Sequence, residues 1–466
     1  MRNSEIQSWP DLSQPFFSLS NSLWALVPLE AWRRGLEVTL RPNARYTISD
    51  GESRRTFWQT RLTGPTQDAI AKASGDKQGT RESLLAAGLP APRGRAFRGA
   101  IDTTEVLEYA KELGFPVCLK PNAWAKGRGV YPRLESIVEL SSALDHLVGE
   151  LGCDDLVLEQ HIRGDALRVS VAGGRVVAVT LAEPGNVVGD GSSTIQQLID
   201  AKNSARDGNP HLRNHRLRLD EQSLRVLQAS GLSKSSVPSE GQVVYLREAA
   251  NLAQGGDSWD LTDSLPEEIK QIAIDAVTAT RGLAHAGVDL LVEDATRADS
   301  PAFINELNPS AGLGGHMYPG KGEQRDVPSA IVDQYFPGSA RLPGSDSWYF
   351  PLDQVNRLLV SRSAAAVEIP PMPTLRTPTW NVLRLDGAAD RLPALRSSLL
   401  GRLNRTAVHG QLGRVRDGHF EIAIAGEGQA VDAAAKLIRR EAVAADARIR
   451  VASRAQFPVA IGMRLA

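Results

Sequence analysis

Two periods of hydrophobic and polar positions alternate along the chain, one typical of helices and the other of strands. Apolar residues recur every three or four positions in LWALVPLEAWRRGL, TQDAIAKASG, DKQGTRESLLAAG and PEEIKQIAIDAVTATRGLAHA, which predicts helices. Period-two alternation or a short apolar run marks EVTL, YTISDG, PVCLKPN, LVLEQHI, GVDLLVED and AFINELN, which predicts strands. ALRVSV and RVVAVTL meet at Gly173 and Gly174, which predicts a hairpin. We therefore expect a mixed α/β (α+β) fold.

The segment 183–261 breaks this regular pattern. It is polar and rich in Gly, Ser and Asn, and helices are predicted only at 194–203 and 220–230. Loops of this length inside a compact domain are usually functional. We therefore expect this segment to determine substrate specificity.

The last third of the chain has a pattern of its own. Pro and Ser accumulate between residues 336 and 379, which is typical of a linker. The following elements are then predicted: strand 380–386, helix 391–404, hairpin 408–426, helix 429–442 and strand 447–454. This βαββαβ order is ferredoxin-like, so we expect a separate C-terminal domain.

Composition narrows the class of protein. A chain of 466 residues is too long for one ordinary core and should form more than one domain. With 42% hydrophobic residues, 23% charged residues and a net charge of −1, it has no overall field that would recruit nucleic acid or a membrane. No apolar run approaches the roughly 18 residues of a membrane span, and no signal peptide begins the sequence, so a cytoplasmic location is expected. Cys118 and Cys153 lack metal-binding spacing.

Polar residues interrupt two of the predicted strands, GVDLLVED and FINELN. A period of two places Asp289 opposite to its apolar neighbours, and it places Glu306 and Asn308 on one shared face. If the two strands pair, the three side chains form an oxygen cluster that suits Mg²⁺. The alternative is a solvated strand end with unrelated polar residues. Under the same alternation Asn305 points away from the cluster and remains the unexplained polar residue of this strand.

A group of cationic residues precedes this acidic cluster in the sequence. In GFPVCLKPNAWAKGRGV, Lys120 ends a strand, and a loop with Lys126, Gly127, Arg128 and Gly129 follows. Backbone amides and cations in such a loop bind anions, and glycine permits the close approach that phosphate requires. A strand-end lysine before this loop, with the acidic cluster downstream, predicts a site for nucleotide phosphates.

These motifs resemble the ATP-grasp superfamily, in the branch with cyanophycin synthetase and the ATP-grasp half of bifunctional glutathione synthetase. The resemblance covers about residues 30–338 and includes SGDKQGTRESLLAAGLPAPRG, LVLEQHIRGDALRVSVAGGRVVAV, NVVGDGSSTIQQLID, VPSEGQVVYLREAANLAQGG and GLGGHMYPGKGEQRDVPSAIVDQYFPG. It implies an ATP-grasp fold. The expected domains are an N-terminal α/β lead-in domain at 1–75, an ATP-grasp domain at 76–338, a linker at 339–374 and a ferredoxin-like domain at 375–466.

The resemblance implies how ATP is held. Lys77 and Lys120 match the lysines that contact its phosphates. The loop that closes over the phosphates matches Lys126, Gly127, Arg128 and Gly129. The adenine hinge matches Glu159, Gln160 and Ile162. Relatives carry their ribose acid at the position of Ala166, and Asp165 stands one residue earlier.

The resemblance also implies the metal and substrate residues. Asp289, Glu306 and Asn308 match the ligands of two Mg²⁺ ions, and Arg247 matches a catalytic cation close to the γ-phosphate and the substrate. The remaining substrate positions are Asn251, Gly255, Gly256, Ser310, Gly312 and His316.

The implied activity is that of an ATP-dependent carboxylate–amine ligase. ATP phosphorylates a carboxylate, an amine attacks the acyl phosphate, and an amide or peptide bond forms with release of ADP and phosphate. The expected cofactors are ATP and Mg²⁺, with Mn²⁺ as an alternative ion, and the expected substrates are amino acids or small peptides. Neither nucleic acid nor membrane is an expected partner, and homo-oligomers are common among the relatives. The alternative function is an ATP-binding regulatory protein without turnover.

The C-terminal domain resembles acylphosphatase in WNVLRLDGAADRLPAL and GQLGRVRDGHFEIAIAG. That family places an asparagine where this chain has Asp417, and Asp390 adds a second acid beside Arg391. A carboxylate repels a phosphate oxyanion, so we expect a docking or dimerisation module instead of a hydrolase. Of the histidines, His285 is expected to pack or cap at a helix end, whereas for His316 substrate contact and packing are equal alternatives.

Overall fold

The computed structural model describes residues 23–124, 128–247, 250, 252 and 255–465. The chain divides into two compact units. One is Arg55–Pro337, and the other combines the residues up to Arg54 with those from Gly338 onwards. The domain boundaries expected at 75, 338 and 374 stay predictions.

Helices and strands alternate through both units. The helices are α1 (Leu26–Arg33), α2 (Pro65–Ser74), α3 (Lys77–Ala86), α4 (Thr103–Leu113), α5 (Ile137–Leu144), α6 (Ile195–Arg206), α7 (Glu221–Ala229), α8 (Glu267–Ala279), α9 (Gly314–Met317), α10 (Val327–Tyr335), α11 (Leu352–Val360), α12 (Leu392–Leu403) and α13 (Gly428–Ala444). The strands are β1 (Glu37–Arg41), β2 (Arg45–Ser49), β3 (Arg54–Trp58), β4 (Arg61–Leu62), β5 (Gly94–Arg98), β6 (Val117–Pro121), β7 (Tyr131–Leu134), β8 (Asp155–Gln160), β9 (Asp165–Ala172), β10 (Arg175–Glu183), β11 (Asn186–Val188), β12 (Val243–Tyr245), β13 (Asp257–Asp260), β14 (His285–Val292), β15 (Ala302–Asn308), β16 (Trp348–Tyr349), β17 (Val367–Ile369), β18 (Pro378–Asp386), β19 (Val408–Leu412), β20 (His419–Glu427), β21 (Arg448–Ser453), β22 (Val459–Ala460) and β23 (Met463–Leu465). In the described part of the chain, no helix combines the length and apolar character that crossing a bilayer requires.

A four-stranded antiparallel sheet, in the order β5-β8-β6-β7, forms the first layer of the unit Arg55–Pro337. Apolar side chains of helices α4 and α5 pack with one face of this sheet, to which β6 contributes Leu119 and β8 contributes Leu158. Because neighbouring side chains on a strand point to opposite faces, Lys120 and Glu159 project from the other face. The alternation therefore separates the apolar core from the polar residues of the candidate site.

A five-stranded antiparallel sheet, in the order β13-β10-β9-β14-β15, forms a second layer in the same unit. Helix α8 packs with its apolar face, where Val288 and Leu290 are buried. Asp289 lies between these two residues and projects from the opposite face, as the alternation predicts.

The segment 183–261 contains more regular structure than the sequence predicted. Strands β11 and β12 pair as an antiparallel ribbon, and helices α6 and α7 share a small apolar core with them. Helix α6 begins with a capping box in which Thr194 and Gln197 satisfy each other's backbone N–H groups. The segment is therefore a small packed module as well as a long connection.

The helix predicted to run as far as His285 is shorter. Helix α8 ends at Ala279, and His285 is the first residue of β14. Its Nε2 lies 2.7 Å from the carbonyl oxygen of Thr60, and its Nδ1 lies 2.8 Å from the hydroxyl of Tyr335. Burial lowers the pKa of His285 to about 4, so the ring is neutral. The packing role is confirmed, although the element was wrong.

Among the described residues, the other unit contains three sheets, of which the smallest pairs β16 with β22 in parallel. Strands β17, β1 and β2 pair antiparallel in that order, so the predicted linker supplies a strand, β17, and a helix, α11. The order β18-α12-β19-β20-α13-β21 reproduces the predicted βαββαβ pattern. Its sheet has the strand order β21-β18-β20-β19-β23 and packs its apolar face with α12 and α13.

Candidate active site

Lys120 is a buried cation near the end of β6. Only 5% of the residue is exposed. Its Nζ lies 2.5 Å from Oε1 of Glu159 and donates a hydrogen bond of 3.0 Å to Oδ1 of Asn305. Burial lowers the pKa of Lys120, whereas Glu159, Cys118 and Glu306 together raise it, and the net result is a raised pKa. The ammonium group therefore stays charged at neutral pH.

Glu159 holds two cations at once. In addition to Lys120, it pairs with Arg81 of α3, whose Nη1 lies 3.2 Å from Oε2. The three side chains are each at most 7% exposed. The carboxylate is thus committed to ion pairs, and the Glu159 backbone lies in β8 between β5 and β6. The predicted contact of Glu159 with adenine stays a prediction.

Lys77 lies at the start of α3 and fixes this helix to the end of β6. Its Nζ donates to the carbonyl oxygens of Asn122 at 3.0 Å and Trp124 at 2.8 Å. Burial lowers the pKa of Lys77, the Glu306 carboxylate raises it, and the Lys120 ammonium lowers it further. The charges of Glu306 and Lys120 therefore both act on Lys77.

Part of the predicted phosphate loop can be located. Lys126 and Gly127 lie outside the described residues. The guanidinium carbon of Arg128 lies 4.6 Å from the centre of the Trp124 ring, which is a cation–π contact. Gly129 has a φ of 68°, in the left-handed region that favours glycine. The phosphate contacts of this loop stay a prediction.

The predicted adenine hinge connects β8 to β9. Nε of Arg93 donates a long hydrogen bond of 3.4 Å to Oε1 of Gln160. Ile162 is 7% exposed and therefore buried. Gln160 is the last residue of β8, and Ile162 lies two residues beyond it. The contact of Gln160 and Ile162 with adenine stays a prediction.

The turn after the hinge requires glycine. Gly164 has a φ of 127°, and a Cβ atom at this position would lie 2.1 Å from the carbonyl oxygen of Val292, so a side chain does not fit. Next to it, Oδ2 of Asp165 accepts a hydrogen bond of 3.1 Å from the backbone N–H of Ala295. The Asp165 carboxylate thus fastens the turn. Its predicted contact with ribose remains a prediction.

The predicted metal residues lie together on β14 and β15. Asp289 lies directly opposite Glu306 in the strand register, and Gly287 lies opposite Asn308. Nδ2 of Asn308 donates a hydrogen bond of 3.1 Å to Oδ2 of Asp289. Burial raises the pKa of Glu306, and the Asp289 carboxylate raises it further, against the effect of nearby cations. Two acids and one amide therefore form a single polar cluster.

Arg168 is a site residue that the sequence analysis did not identify. It lies on β9 directly opposite Asp289, and its guanidinium donates to both oxygens of that carboxylate, with Nη2 2.8 Å from Oδ2. The strand alternation in ALRVSV places Arg168 on the polar face. Its partner could not be inferred, because the two residues are 121 positions apart.

Asn305 is the second missed residue, and the prediction that it points away from the cluster was wrong. The register between β14 and β15 shifts after Asp289, so that Leu290 lies opposite Ile304 and Asn305 is the extra residue of a β-bulge. A bulge breaks strict alternation. Asn305 accepts the hydrogen bond from Lys120 and so belongs to the site.

A row of polar side chains crosses the five-stranded sheet. The strand registers place Asp260, Thr180, Arg168, Asp289 and Glu306 opposite one another on successive strands. Residues directly opposite each other in antiparallel strands project from the same face. The candidate site is therefore a polar face that extends from β15 to β13.

His316 adjoins this row. Its Nδ1 lies 2.6 Å from Oγ1 of Thr180, and its Nε2 is buried without a hydrogen-bond partner among the described residues. Burial lowers the pKa of His316 to about 3, and the Arg168 charge contributes to the shift. The imidazole is therefore neutral. Substrate contact by His316 stays a prediction.

Arg247 is tied to α7 and its N-cap. Its Nη2 lies 2.7 Å from Oδ2 of Asp220, and its Nη1 donates to the hydroxyl of Ser223. Among the described residues, no hydrogen bond or ion pair joins Arg247 to Lys120 or to the acidic cluster. The predicted catalytic role of Arg247 is therefore untested by these contacts.

The remaining substrate positions are spread over three loops. Nη2 of Arg206 donates to the carbonyl oxygens of Gly255 at 3.1 Å and Gly256 at 3.2 Å. Asn251 lies outside the described residues. The Ser310 hydroxyl donates to Oε1 of Gln59 at 3.3 Å. A Cβ atom at Gly312 would meet no atom of the described residues within 4 Å, its two chain neighbours aside.

The acidic cluster fits a magnesium ion chemically. Its donor atoms are carboxylate and amide oxygens from Asp289, Glu306 and Asn308, the ligand type that Mg²⁺ prefers. Burial and the neighbouring Asp289 charge both raise the pKa of Glu306, and a divalent cation would oppose both effects. Across the described residues, no group of three His, Cys, Asp or Glu side chains has a metal-binding arrangement. Magnesium binding by Asp289, Glu306 and Asn308 stays a prediction.

Comparison with known proteins relates this geometry to two groups of enzymes. No family model matches the chain. Over 347 residues, or 73% of this chain, it is 32% identical to the cyanophycin synthetase of Trichormus variabilis. Over 318 residues, or 66% of this chain, it is 31% identical to the bifunctional glutathione biosynthesis protein of Enterococcus faecalis. The chain resembles the ATP-grasp ligases. It spans 38% of the length of that cyanophycin synthetase and 41% of that glutathione protein.

Similar solved structures are also found. The bifunctional glutathione synthetase from Pasteurella multocida has a TM-score of 0.49 and 25% identity, and covers 63% of this chain and 41% of its own. D-alanine–D-alanine ligase from Bacillus anthracis has a TM-score of 0.35 and 15% identity, and covers 58% of this chain and 68% of its own. The resemblance rests on the sequence identity and not on these scores.

Proposed function

We propose that the protein is an ATP-dependent carboxylate–amine ligase that forms an amide or peptide bond between amino acids or small peptides through an acyl phosphate. ADP and phosphate are the other products. The observation that carries this proposal is the proximity of cationic side chains to the acidic cluster. Lys120 donates a hydrogen bond to Asn305, the residue next to Glu306, and Glu306 lies beside Asp289 and Asn308. The Glu306 charge also acts to raise the pKa of Lys77.

This arrangement suits phosphoryl transfer to a carboxylate. A carboxylate is a poor acyl donor until it is phosphorylated, and the transfer depends mainly on positioning and charge neutralisation. Lys77 and Lys120 would bind the nucleotide phosphates, while Asp289, Glu306 and Asn308 would hold magnesium. When bound, Mg²⁺ neutralises phosphate charge and orients the transferring group.

The substrate class in this proposal follows from the relatives. The names of the similar proteins refer to cyanophycin, to glutathione and to D-alanine, which supports amino acids or peptides as substrates here. The segment 183–261, with Gly255 and Gly256 held by Arg206, is the expected specificity region. The product we propose is a dipeptide or a modified small peptide.

The C-terminal ferredoxin-like segment has a separate role in this proposal. Arg391 is 60% exposed in its side chain and lies 3.8 Å from Asp446. An arginine beside a carboxylate is a weak phosphate binder because the acid competes for its charge. We therefore propose docking or dimerisation for this acylphosphatase-like segment.

The proposal is tested by measuring ADP formation from ATP and Mg²⁺ with pooled amino acids and dipeptides, followed by mass spectrometry of the products. We expect ADP release that depends on the added acceptor, together with a product of the mass of a condensed pair. ATP binding without acceptor-dependent ADP release would instead support a regulatory ATP-binding protein.

Two variants make the test specific to the site. Glu306→Ala is expected to abolish ADP formation, because it removes a metal-binding carboxylate, while the thermal unfolding transition persists. Glu293→Ala removes an exposed carboxylate just beyond β14 and should retain activity. Normal turnover by Glu306→Ala would contradict the metal assignment.

A further inference from the structure

The Lys120 ammonium group has its direction fixed by acceptors on two different sheets. An ammonium group has three donors. One is directed to Glu159 at 2.5 Å, on β8 of the four-stranded sheet. Another is directed to Oδ1 of Asn305 at 3.0 Å, on β15 of the five-stranded sheet. One donor remains for a further acceptor.

We propose that Asn305 is a positioning residue, which aims this remaining donor of Lys120 at a nucleotide phosphate. The inference rests on the proposed function, because it takes the ligand of Lys120 to be ATP. Without the second acceptor, the ammonium group could rotate about its bond to the side chain, with only Glu159 to orient it. Holding a group in its bound direction beforehand lowers the entropy lost on binding.

The β-bulge is what makes this contact possible. In a regular strand, Asn305 would project from the face opposite to Glu306. The register shift between Asp289 and Leu290 leaves Asn305 as the unpaired residue of the bulge, and bulges redirect side chains in this way. Glu306 and Asn305 can therefore both face Lys120, although they are consecutive residues.

The chemistry of an amide suits this position better than that of an acid. Lys120 already has the negative charge of Glu159 at 2.5 Å, and Glu306 also acts on its pKa. A third carboxylate would cancel the positive charge that attracts phosphate. The neutral Oδ1 of Asn305 accepts a hydrogen bond without adding charge, so it orients the ammonium group and leaves the cation available.

A double-mutant cycle tests the inference on the full-length protein. Asn305→Leu keeps nearly the same shape and removes the acceptor. Calorimetric titration with a non-hydrolysable ATP analogue and Mg²⁺ should give a Kd about tenfold higher than for the wild type, the expected loss for a hydrogen bond to a charged group. In the Lys120→Met background, Asn305→Leu should cause no further loss.

Each other outcome has a definite meaning. Equal Kd values for the wild type and Asn305→Leu would overturn the inference and leave the ligase proposal intact. The same tenfold loss in both backgrounds would also overturn it, because Asn305 would then act independently of Lys120. A wild type that binds no nucleotide would overturn the proposed function itself. Asn305→Ala, which cannot overfill the site, repeats the test if the leucine variant does not fold.

Discussion

The buried carboxylate of Glu159 offers the sharpest test of how the candidate site is held together. Glu159→Gln preserves the shape of the side chain and removes its charge. Lys120 at 2.5 Å and Arg81 at 3.2 Å would then lose their shared counter-ion. Burial already lowers the pKa of Arg81, an effect that the Glu159 charge opposes. The variant therefore leaves two desolvated cations close to each other.

The size of the effect follows from the burial of the pair. Removing one partner of a buried ion pair costs about 3–5 kcal/mol, because the remaining charge is left uncompensated. Glutamine can still accept a hydrogen bond from either cation, so we expect the lower end, about 3 kcal/mol of unfolding free energy. For a domain of this size, that corresponds to a decrease in Tm of roughly 6–12 °C.

The assay is urea unfolding followed by tryptophan fluorescence, and the chain offers a matched control. Glu135 also contacts two arginines, Arg133 at 3.2 Å and Arg163 at 3.6 Å, but its side chain is 49% exposed. Exposed ion pairs contribute only about 0–1 kcal/mol. Glu135→Gln should therefore shift the midpoint little, whereas Glu159→Gln should shift it strongly.

Two results would refute this reasoning. Equal midpoints for Glu159→Gln and Glu135→Gln would mean that burial does not set the strength of the pair. Additive losses in Arg81→Met combined with Glu159→Gln would mean that the two residues do not interact, since coupled residues give a double variant less destabilised than the sum.

Three further substitutions test other parts of the unit Arg55–Pro337. The pKa of Glu306 is raised above its ordinary value of 4.5, so the folded state holds a proton that the unfolded state loses as the pH rises above 4.5, and the free energy of unfolding falls. Glu306→Gln should therefore raise the Tm at pH 7 in metal-free buffer, and this gain should vanish below pH 4.5. Arg206→Met should lower the free energy of unfolding by about 3 kcal/mol, because the 4% exposed side chain of Arg206 lies 2.5 Å from Asp257. Gly314→Ala should cost about 1–3 kcal/mol by overpacking, because its Cβ would lie 2.1 Å from Nδ1 of His211.

Each of these has its own control. Mg²⁺ should raise the Tm of the wild type and not of Glu306→Gln; a variant less stable than the wild type at pH 7 would contradict the assigned repulsion. Arg216→Met, whose pair with Asp207 is half exposed, should change urea unfolding much less than Arg206→Met. His211→Ala should relieve the cost of Gly314→Ala, and an unrelieved loss would show that the ring is not the obstacle.

Local pattern predicted a large part of the fold. The C-terminal elements observed at Leu392–Leu403 and Gly428–Ala444 lie within two residues of the predicted bounds, because their periodicity is strong and their ends carry turn residues. In contrast, the pairing of Val367–Ile369 with Glu37–Arg41 connects residues far apart in sequence. Pro and Ser in this region indicated a linker, and only tertiary pairing made it a strand.

The same distinction applies to the candidate site. Period-two alternation selected Asp289, Glu306 and Asn308, because that pattern depends on the backbone alone. Arg168 was not identified, since its importance comes from an ion pair with Asp289 across two strands. The roles assigned through the ATP-grasp resemblance to Arg247, and to residues such as Lys126, stay predictions.

The alternation of side chains between the two faces of a strand fails at Asn305, within the candidate site. Apolar Ile304 and Leu307 bracket a pair of polar neighbours, and a regular strand can direct only one of two consecutive side chains to a given face. The extra residue of a bulge removes this restriction at the cost of one ladder position. The bulge thereby directs Glu306, a proposed metal ligand, and Asn305, the acceptor of a Lys120 hydrogen bond, from adjacent positions into the same site. A polar pair inside an otherwise apolar strand can therefore indicate a bulge, and a bulge beside an acidic cluster is a reason to look for a cation that it contacts.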